Sequence, residues 1–408
     1  MKSIFMKLIA ARYRTAVACG ILNFCVLFLS PSHAGAADAT DWTLAPFTRP
    51  ADAQPIIKPD PEAVFNCPMR QMPVHWEATH TFNPAAIVKD GKVYVIYRAE
   101  DNNGGGIGGY TSRLGLASSN DGIHFTQMPS PVLYPNHDDQ TDREWIGGCE
   151  DPRCVETEDG TYVLFYTQYH QGSKDKPRTT DLGMATSRDL LHWTKCGPVQ
   201  GPDASGKMVR PSKSASLVCS VRNGRVIATR IKGKYWLYYG EGVIHLMTSD
   251  NLHDWTPVPK FAMAQRKNLF DSGLAECGPP ALLTDKGIVL LYNGKNAGPG
   301  SGDPTLKTGV YADGQALFDA QDPTHLLARL DHPFFQPELP WEKTGQYGAG
   351  TTFIEGLVLF KNKWFLYYGC ADTFVGVATA DVTPGETAAP ALVSTSFSPI
   401  CACAPISF

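Results

Sequence analysis

Apolar and polar residues alternate with a period of two over most of the chain, in short runs closed by Gly, Asn and Asp. That is the pattern of half-buried strands joined by tight turns. Ala85–Tyr97 turns at Asp90-Gly91, and Arg153–Tyr166 turns at Asp159-Gly160. Gly233–Tyr239 forms the returning half of a third hairpin. Ala281–Tyr292 turns at Asp285-Lys286-Gly287, and Gly356–Tyr368 turns near Asn362. Asp-Gly between alternating apolar positions is a strong short-range hairpin signal.

Each hairpin is followed by a second module: Leu114–Asp121 with Phe125, Leu182–Asp189 with Trp193, and His245–Asp250 with Trp255. Thr308–Asp313 and Val375–Ala380 are weaker echoes. The reading is a third strand, a Ser/Asp turn, and a fourth strand bearing an aromatic plug between neighbouring sheets. Five such units, each longer than a simple blade of ~40–45 residues, cannot bury both faces alone and must stack around an axis. The expected fold is all-β, a five-bladed β-propeller spanning 61–408. A β-sandwich is the alternative, but a five-fold repeat has no natural place in one. Helical periodicity of any length is absent.

Residues 1–34 read as a secretory signal. Lys2, Lys7, Arg12 and Arg14 precede an apolar run from Thr15 to Ser30, and Ser32-His33-Ala34 supplies small residues for cleavage. The run is short for a membrane span and is broken by Gly20 and Asn23. A secreted or periplasmic product is expected, with no stable membrane insertion after cleavage. Residues 35–60 read as a linker or N-terminal arm.

Composition narrows the class further. Hydrophobic residues make up 43% of the 408, enough for a large core, and the formal net charge of -4 removes the basic footprint of a nucleic-acid binder. Export permits disulfides, yet the nine cysteines beyond the signal cannot all pair internally and their connectivity is not readable from spacing. Cys149-x4-Cys154 and Cys401-x-Cys403 lack a matching second ligand pair, so no metal or other cofactor is expected.

In a propeller, polar residues at the starts of the inner strands converge on a central funnel. Those positions hold Asn83-Pro84, then Arg98; Glu150-Asp151-Pro152-Arg153; Lys213, then Glu241; Glu276 before Gly278-Pro279; and Asp372. The prolines have a structural reading as a shared turn. Carboxylates crowded at one funnel repel one another unless they have a task or cations to neutralise them. One reading is a salt-bridge network with Arg98, Arg113 and Arg153. The other is glycoside chemistry, with one carboxylic acid protonating the leaving oxygen and a second group handling the nucleophile. Trp145, Tyr166, Tyr169 and Tyr239 offer aromatic faces for pyranose rings, or blade packing.

Asn83-Pro84, Tyr97-Arg98, Gly148-Cys149-Glu150-Asp151-Pro152-Arg153, Gly278-Pro279-Pro280 and Tyr368-Gly369-Cys370-Ala371-Asp372 together resemble glycoside hydrolase family 130, over roughly Phe65 to Ala380. The resemblance implies a five-bladed propeller, inverting chemistry on β-mannosides and no cofactor. By position it implies Asp151 as general acid, with Asn83, Arg98 and Asp372 gripping the terminal mannose. Glu150, Arg113, Arg153, Tyr166, Lys213 and Tyr239 complete the expected substrate-binding set.

Familiar members are phosphorylases that bind phosphate with clustered cations, including a His-Arg pair where this chain has Tyr239-Gly240-Glu241. Acids in place of cations are similar to members that hydrolyse β-1,2-mannosides. The expectation is an exo-acting inverting β-mannosidase with Glu241 or Glu276 activating water. A β-mannoside phosphorylase releasing mannose 1-phosphate is the alternative; a non-catalytic sugar-binding propeller and a furanosidase are further rivals. Oligomeric state is not legible.

Overall fold

A computed structural model of the protein describes residues 41–44 and 46–387. The signal sequence, Cys401 and Cys403 lie outside the described residues. The chain is all-β: apart from one turn of α-helix at Thr141–Glu144 and a 3-10 turn at Pro340–Glu342, the described secondary structure is strand. No helix among the described residues is long and apolar enough to cross a membrane.

The strands fall into consecutive antiparallel units. The first contains His80–Lys89, Lys92–Glu100, Ser112–Ser119 and Thr126–Gln127. The second contains Gly148–Glu156, Tyr162–His170, Thr179–Ser187 and Thr194–Pro198. In the third, Ala215–Arg222 pairs with Lys234–Tyr239, followed by His245–Ser249 and Trp255–Pro257. The fourth splits its first strand into Leu274–Cys277 and Ala281–Thr284, and both pieces pair with Gly287–Lys295 before Tyr311–Phe318 and Leu326–Arg329. The fifth contains Thr352–Phe360, Lys363–Cys370 and Phe374–Asp381. The hairpins therefore sit where the alternation predicts them. The Thr308–Asp313 echo is displaced, because the third strand of unit four begins only at Tyr311.

Unit five takes its outer edge from the other end of the chain. Thr48 and Ile57 bridge Thr379 and Val375, with backbone hydrogen bonds of 2.8–3.2 Å. Leu44 and Phe47 are buried between units four and five, and Ile57 between units five and one. The segment 41–60 is thus an integral arm, and its attachment covers an edge that would otherwise offer unpaired N–H and C=O groups.

Apolar packing runs between units rather than within them. Five buried clusters occupy, in turn, the junctions of units one and two, two and three, three and four, four and five, and five and one. The aromatic plugs belong to these junctions. Phe125 meets Tyr367 of unit five edge-on at 5.8 Å and Trp255 meets Phe165 of unit two at 6.1 Å; Tyr238, from a second strand, meets Phe318 of unit four at 4.9 Å. An aromatic ring buries 150–250 Å², so removing one plug should loosen two neighbours together.

A polar tie repeats alongside the apolar one. In four units a tyrosine of the second strand donates to a carboxylate on the segment leading into the first strand: Tyr97 to Glu77, Tyr166 to Glu144, Tyr292 to Asp271 and Tyr368 to Glu342, at 2.6–2.8 Å. These ties hold the entry segments that aim the first strands.

Candidate active site

Three first strands are interrupted by bulges, between Phe82 and Pro84, Glu150 and Arg153, and Ile354 and Gly356. A bulge breaks the alternation of side chains and re-aims one of them. Asn83 and Asp151 take the left-handed conformation there, with φ of 48° and 47°, which Asn and Asp tolerate better than most residues. Pro84 and Pro152 lack an N–H, so a bulge next to them sacrifices no ladder bond. The consequence is a contact between units: Asn83 Nδ2 donates to Asp151 Oδ1 at 2.8 Å.

Arg98 completes this side. Its guanidinium lies 4.6 Å above the Phe82 ring and donates to Asp151 at 3.1 Å, Glu100 at 2.7 Å and Ser112 at 3.0 Å, while pairing with Glu150 at 2.8 Å. Burial pushes the Asp151 carboxyl upward, but Arg98, Lys213, Arg153 and the Asn83 amide outweigh it and hold it at about 2. The adjacent Glu150 goes the other way: burial, only partly countered by Arg98 and worsened by the Asp151 charge, lifts it to about 7. The pair thus keeps one proton near neutrality. Asp372 is also lifted to about 7 by burial, against the pull of Arg98.

The facing side is organised by one ammonium. Lys213 Nζ lies 3.9 Å from Asp151, 3.8 Å from Glu241 and 3.6 Å from Glu276. Burial lowers the Lys213 pKa, but these carboxylates, Glu276 first, lift it above its ordinary value. Glu241 and Glu276 are themselves bridge partners across units three and four. Glu276 is buried, accepts a hydrogen bond from Ser214 Oγ, and is raised by burial against the pull of Lys213. Glu241 is 41% exposed and faces solvent. Because Asp151 and the glutamates each lie within 4 Å of the same nitrogen, their nearest oxygens are no more than about 8 Å apart. Inverting glycosidases separate their two carboxyls by ~6.5–9.5 Å, leaving room for water.

Most of the expected residues meet here: Asn83, Arg98, Glu150, Asp151, Lys213, Glu241 and Glu276 form one contact network. Two do not. Arg113 is buried and turns to Asp101 at 2.9 Å, anchoring the loop 101–111. Tyr166 is buried in the junction of units one and two and belongs to the Glu144 tie. Arg153 is 1% exposed and forms a strut beneath the site, pairing with Glu355 at 2.8 Å. Tyr239 stacks on His245 at 5.7 Å, and Tyr169 donates to the Gly108 carbonyl at 3.1 Å. Trp145 lies under the Arg70 guanidinium, 5.2 Å away.

Sequence reasoning missed Glu100, Ser214, Gln346 and Glu355. Gln346 links Glu100 to the Asp372 carbonyl, with two bonds of 3.0 Å. Glu355 occupies in unit five the bulge position that Asn83 and Asp151 occupy in units one and two, but no proline follows it to mark the place. Seven carboxyl groups (Glu100, Glu150, Asp151, Glu241, Glu276, Glu355, Asp372) thus surround three cations, Arg98, Arg153 and Lys213. The cluster is acidic.

Clustered carboxyls, one of them held by an amide and a guanidinium, suit the transfer of a proton to a glycosidic oxygen. The chain matches the glycoside hydrolase family 130 model, described as β-1,4-mannooligosaccharide phosphorylase, over residues 47–384. A 1,2-β-oligomannan phosphorylase of Thermoanaerobacter sp. (strain X514) is 32% identical over 75% of this chain and 92% of its own. A glycosyl hydrolase from Bacteroides ovatus is 49% identical, with a TM-score of 0.79 over 84% of this chain and 95% of its own. Another solved structure, reported under the statement that this family of mannoside phosphorylases contains glycoside hydrolases targeting β-1,2 mannosidic linkages in Candida mannan, is 48% identical, with a TM-score of 0.80 over 86% and 99%. The protein belongs to glycoside hydrolase family 130.

Proposed function

We propose that this protein is a five-bladed β-propeller that hydrolyses β-mannosides, β-1,2-linked manno-oligosaccharides above all, releasing terminal mannose with inversion after export from the cytoplasm. The cyclic order of the five junction clusters supports the propeller.

The observation that carries the hydrolytic reading is the grouping of Asp151, Glu241 and Glu276 on the single Lys213 ammonium. A phosphate at this spot would face Glu241 and Glu276. At about 4 Å and an effective dielectric near 20, each like-charge contact costs roughly 4 kcal/mol, and one lysine does not supply the several charge-assisted donors a dianion takes. Water has no such difficulty. Glu276, with Glu241, accepts its proton as the oxygen attacks the anomeric carbon. On the opposite side the Glu150–Asp151 pair supplies the proton that the leaving oxygen takes, Asp151 lying nearest the reacting centre. Asn83, Arg98 and Asp372 hold the terminal sugar's hydroxyls.

The second reading is phosphorolysis, and the names of the curated relatives favour it: the family description and the Thermoanaerobacter protein are both phosphorylases. The test is to incubate the protein with β-1,2-mannobiose with and without inorganic phosphate. Free mannose at a phosphate-independent rate supports hydrolysis. Mannose 1-phosphate formed only with phosphate overturns it in favour of the second reading.

A further inference from the structure

Against the site residues lies a buried pair of ionisable side chains to which the chemistry above assigns nothing. Glu355 is fully buried at the unit-five bulge. Neither of its carboxyl oxygens has a hydrogen-bond partner, and its contact is the Arg153 guanidinium, Nη1 to Oε1 at 2.8 Å. That same Nη1 donates to the Asp151 carbonyl at 3.0 Å. Nη2 donates to the Cys277 carbonyl at 2.8 Å, and Nε to Gly278 at 3.4 Å. One guanidinium therefore grips the backbone of the acid and the backbone immediately after Glu276, and Glu355 is what it rests against.

We propose that Glu355 is a positioning residue for the reaction: through Arg153 it fixes the bulge that aims Asp151 and the strand end that carries Glu276, and so sets the gap between the two. The inference rests on the assignment of Asp151 and Glu276 as the reacting carboxyls.

Three features favour this over a purely structural pair. A buried ion pair is a poor device for stability, since well-packed apolar residues of similar volume often do as well or better. The pair lies where the bulges of units two and five and the split strand of unit four meet, so its reach matches the parts that must be held apart. The groups facing Glu355 are those of the site itself: Arg153 and Asp151 from unit two, Glu276 from unit four, and Lys213. Burial raises the Glu355 carboxyl well above its ordinary range against the pull of Arg153, so its role is compatible with a neutral side chain that keeps the same shape.

The experiment compares Glu355→Leu and Glu355→Gln with the wild type on β-1,2-mannobiose, with Asp151→Asn alongside. A misplacement of about 1 Å costs on the order of 100-fold. Glu355→Leu should therefore lose kcat by about 50-fold or more with KM within about three-fold, because the sugar grip at Arg98 and Asp372 is untouched. Glu355→Gln, which retains shape and an acceptor, should recover kcat to within about five-fold and leave both limbs of the pH profile in place. A Glu355→Leu enzyme with near-wild-type kcat overturns the proposal, as does a Glu355→Gln enzyme whose pH limbs move by about one unit or more. Should Glu355→Leu not accumulate as folded protein, the Glu355→Gln profile decides alone. A crystal structure of the variant gives a readout independent of turnover: an Asp151 carboxyl in its wild-type place contradicts the proposal. Wild-type protein inert on mannosides would instead strike at the glycosidase reading.

Discussion

The two sides of the site are built on different scales. On the acid side Asp151 is gripped at 2.8 Å by Asn83 and at 3.1 Å by Arg98, which is itself tied to Glu100, Ser112 and Glu150. On the attack side Glu241 and Glu276 look toward Lys213 across 3.8 and 3.6 Å, with Glu241 open to solvent. Direct hydrogen bonds fix the acid side; on the other, Glu276 has one such bond, from Ser214, and Glu241 faces the Lys213 charge from the solvent. A rigid side suits a group that must meet one oxygen, while the looser side leaves room for a molecule that has to enter and turn.

The largest effect should come from breaking the rigid side. Asp151→Asn keeps the Asn83 and Arg98 contacts but removes the carboxylate through which the proton held by the Glu150–Asp151 pair reaches the leaving oxygen, and kcat should fall by about 10³-fold, general acids contributing ~10²–10⁴. KM should hardly change; equal losses in binding would mean Asp151 is only part of the sugar grip. On the looser side Glu276→Gln should cost on the order of 100-fold in kcat. Glu241→Gln should cost less, because that carboxylate is solvated and its place can be taken by water. A Glu241 variant hit harder than the Glu276 variant would reverse the assignment of the base.

The pH dependence sharpens the comparison further. Glu150 loses its proton at about 7 while Asp151 is already ionised. The rate constant kcat/KM should therefore fall as pH rises through about 7, and Glu150→Gln should remove or displace that limb. An unchanged limb in Glu150→Gln would show that the proton comes from elsewhere.

The smallest effect concerns stability and separates the first entry segment from the others. Glu144, Asp271 and Glu342 each have a Lys or Arg partner besides their tyrosine. Glu77 has Tyr97 and Gln127 only, and burial lifts it to about 7. A group whose folded pKa lies above its unfolded value of 4.5 binds more protons folded than unfolded between the two. The contribution is therefore full below about 4.5 and is lost as pH rises to about 7, by roughly 3 kcal/mol. In thermal melts over that range the wild type should lose stability relative to Glu77→Gln as pH rises, because the variant cannot titrate there; parallel curves would refute the assignment.

Much of this was legible in the chain. The Asp-Gly turns and alternating strands located the hairpins, because a turn of that kind is a local property. Asn83-Pro84 and Asp151-Pro152 read as a shared turn, and the structure puts a bulge at each. Glu355 escaped because Gly356 follows it, and a glycine in a strand carries no mark of where the strand points. Arg113 and Tyr166 were misplaced for a different reason. Alternation reports the face a side chain leaves from, not the partner it finds, and Asp101 and Glu144 lie 12 and 22 residues away. Substrate side or structural side is decided by those tertiary partners.

The most direct test of the acidic attack side follows the oxygen. Turnover of β-1,2-mannobiose in ¹⁸O-labelled water containing orthophosphate should put the label at the anomeric position of the released mannose, with the inverted anomer appearing first. Unlabelled mannose 1-phosphate as the product under the same conditions would contradict the account.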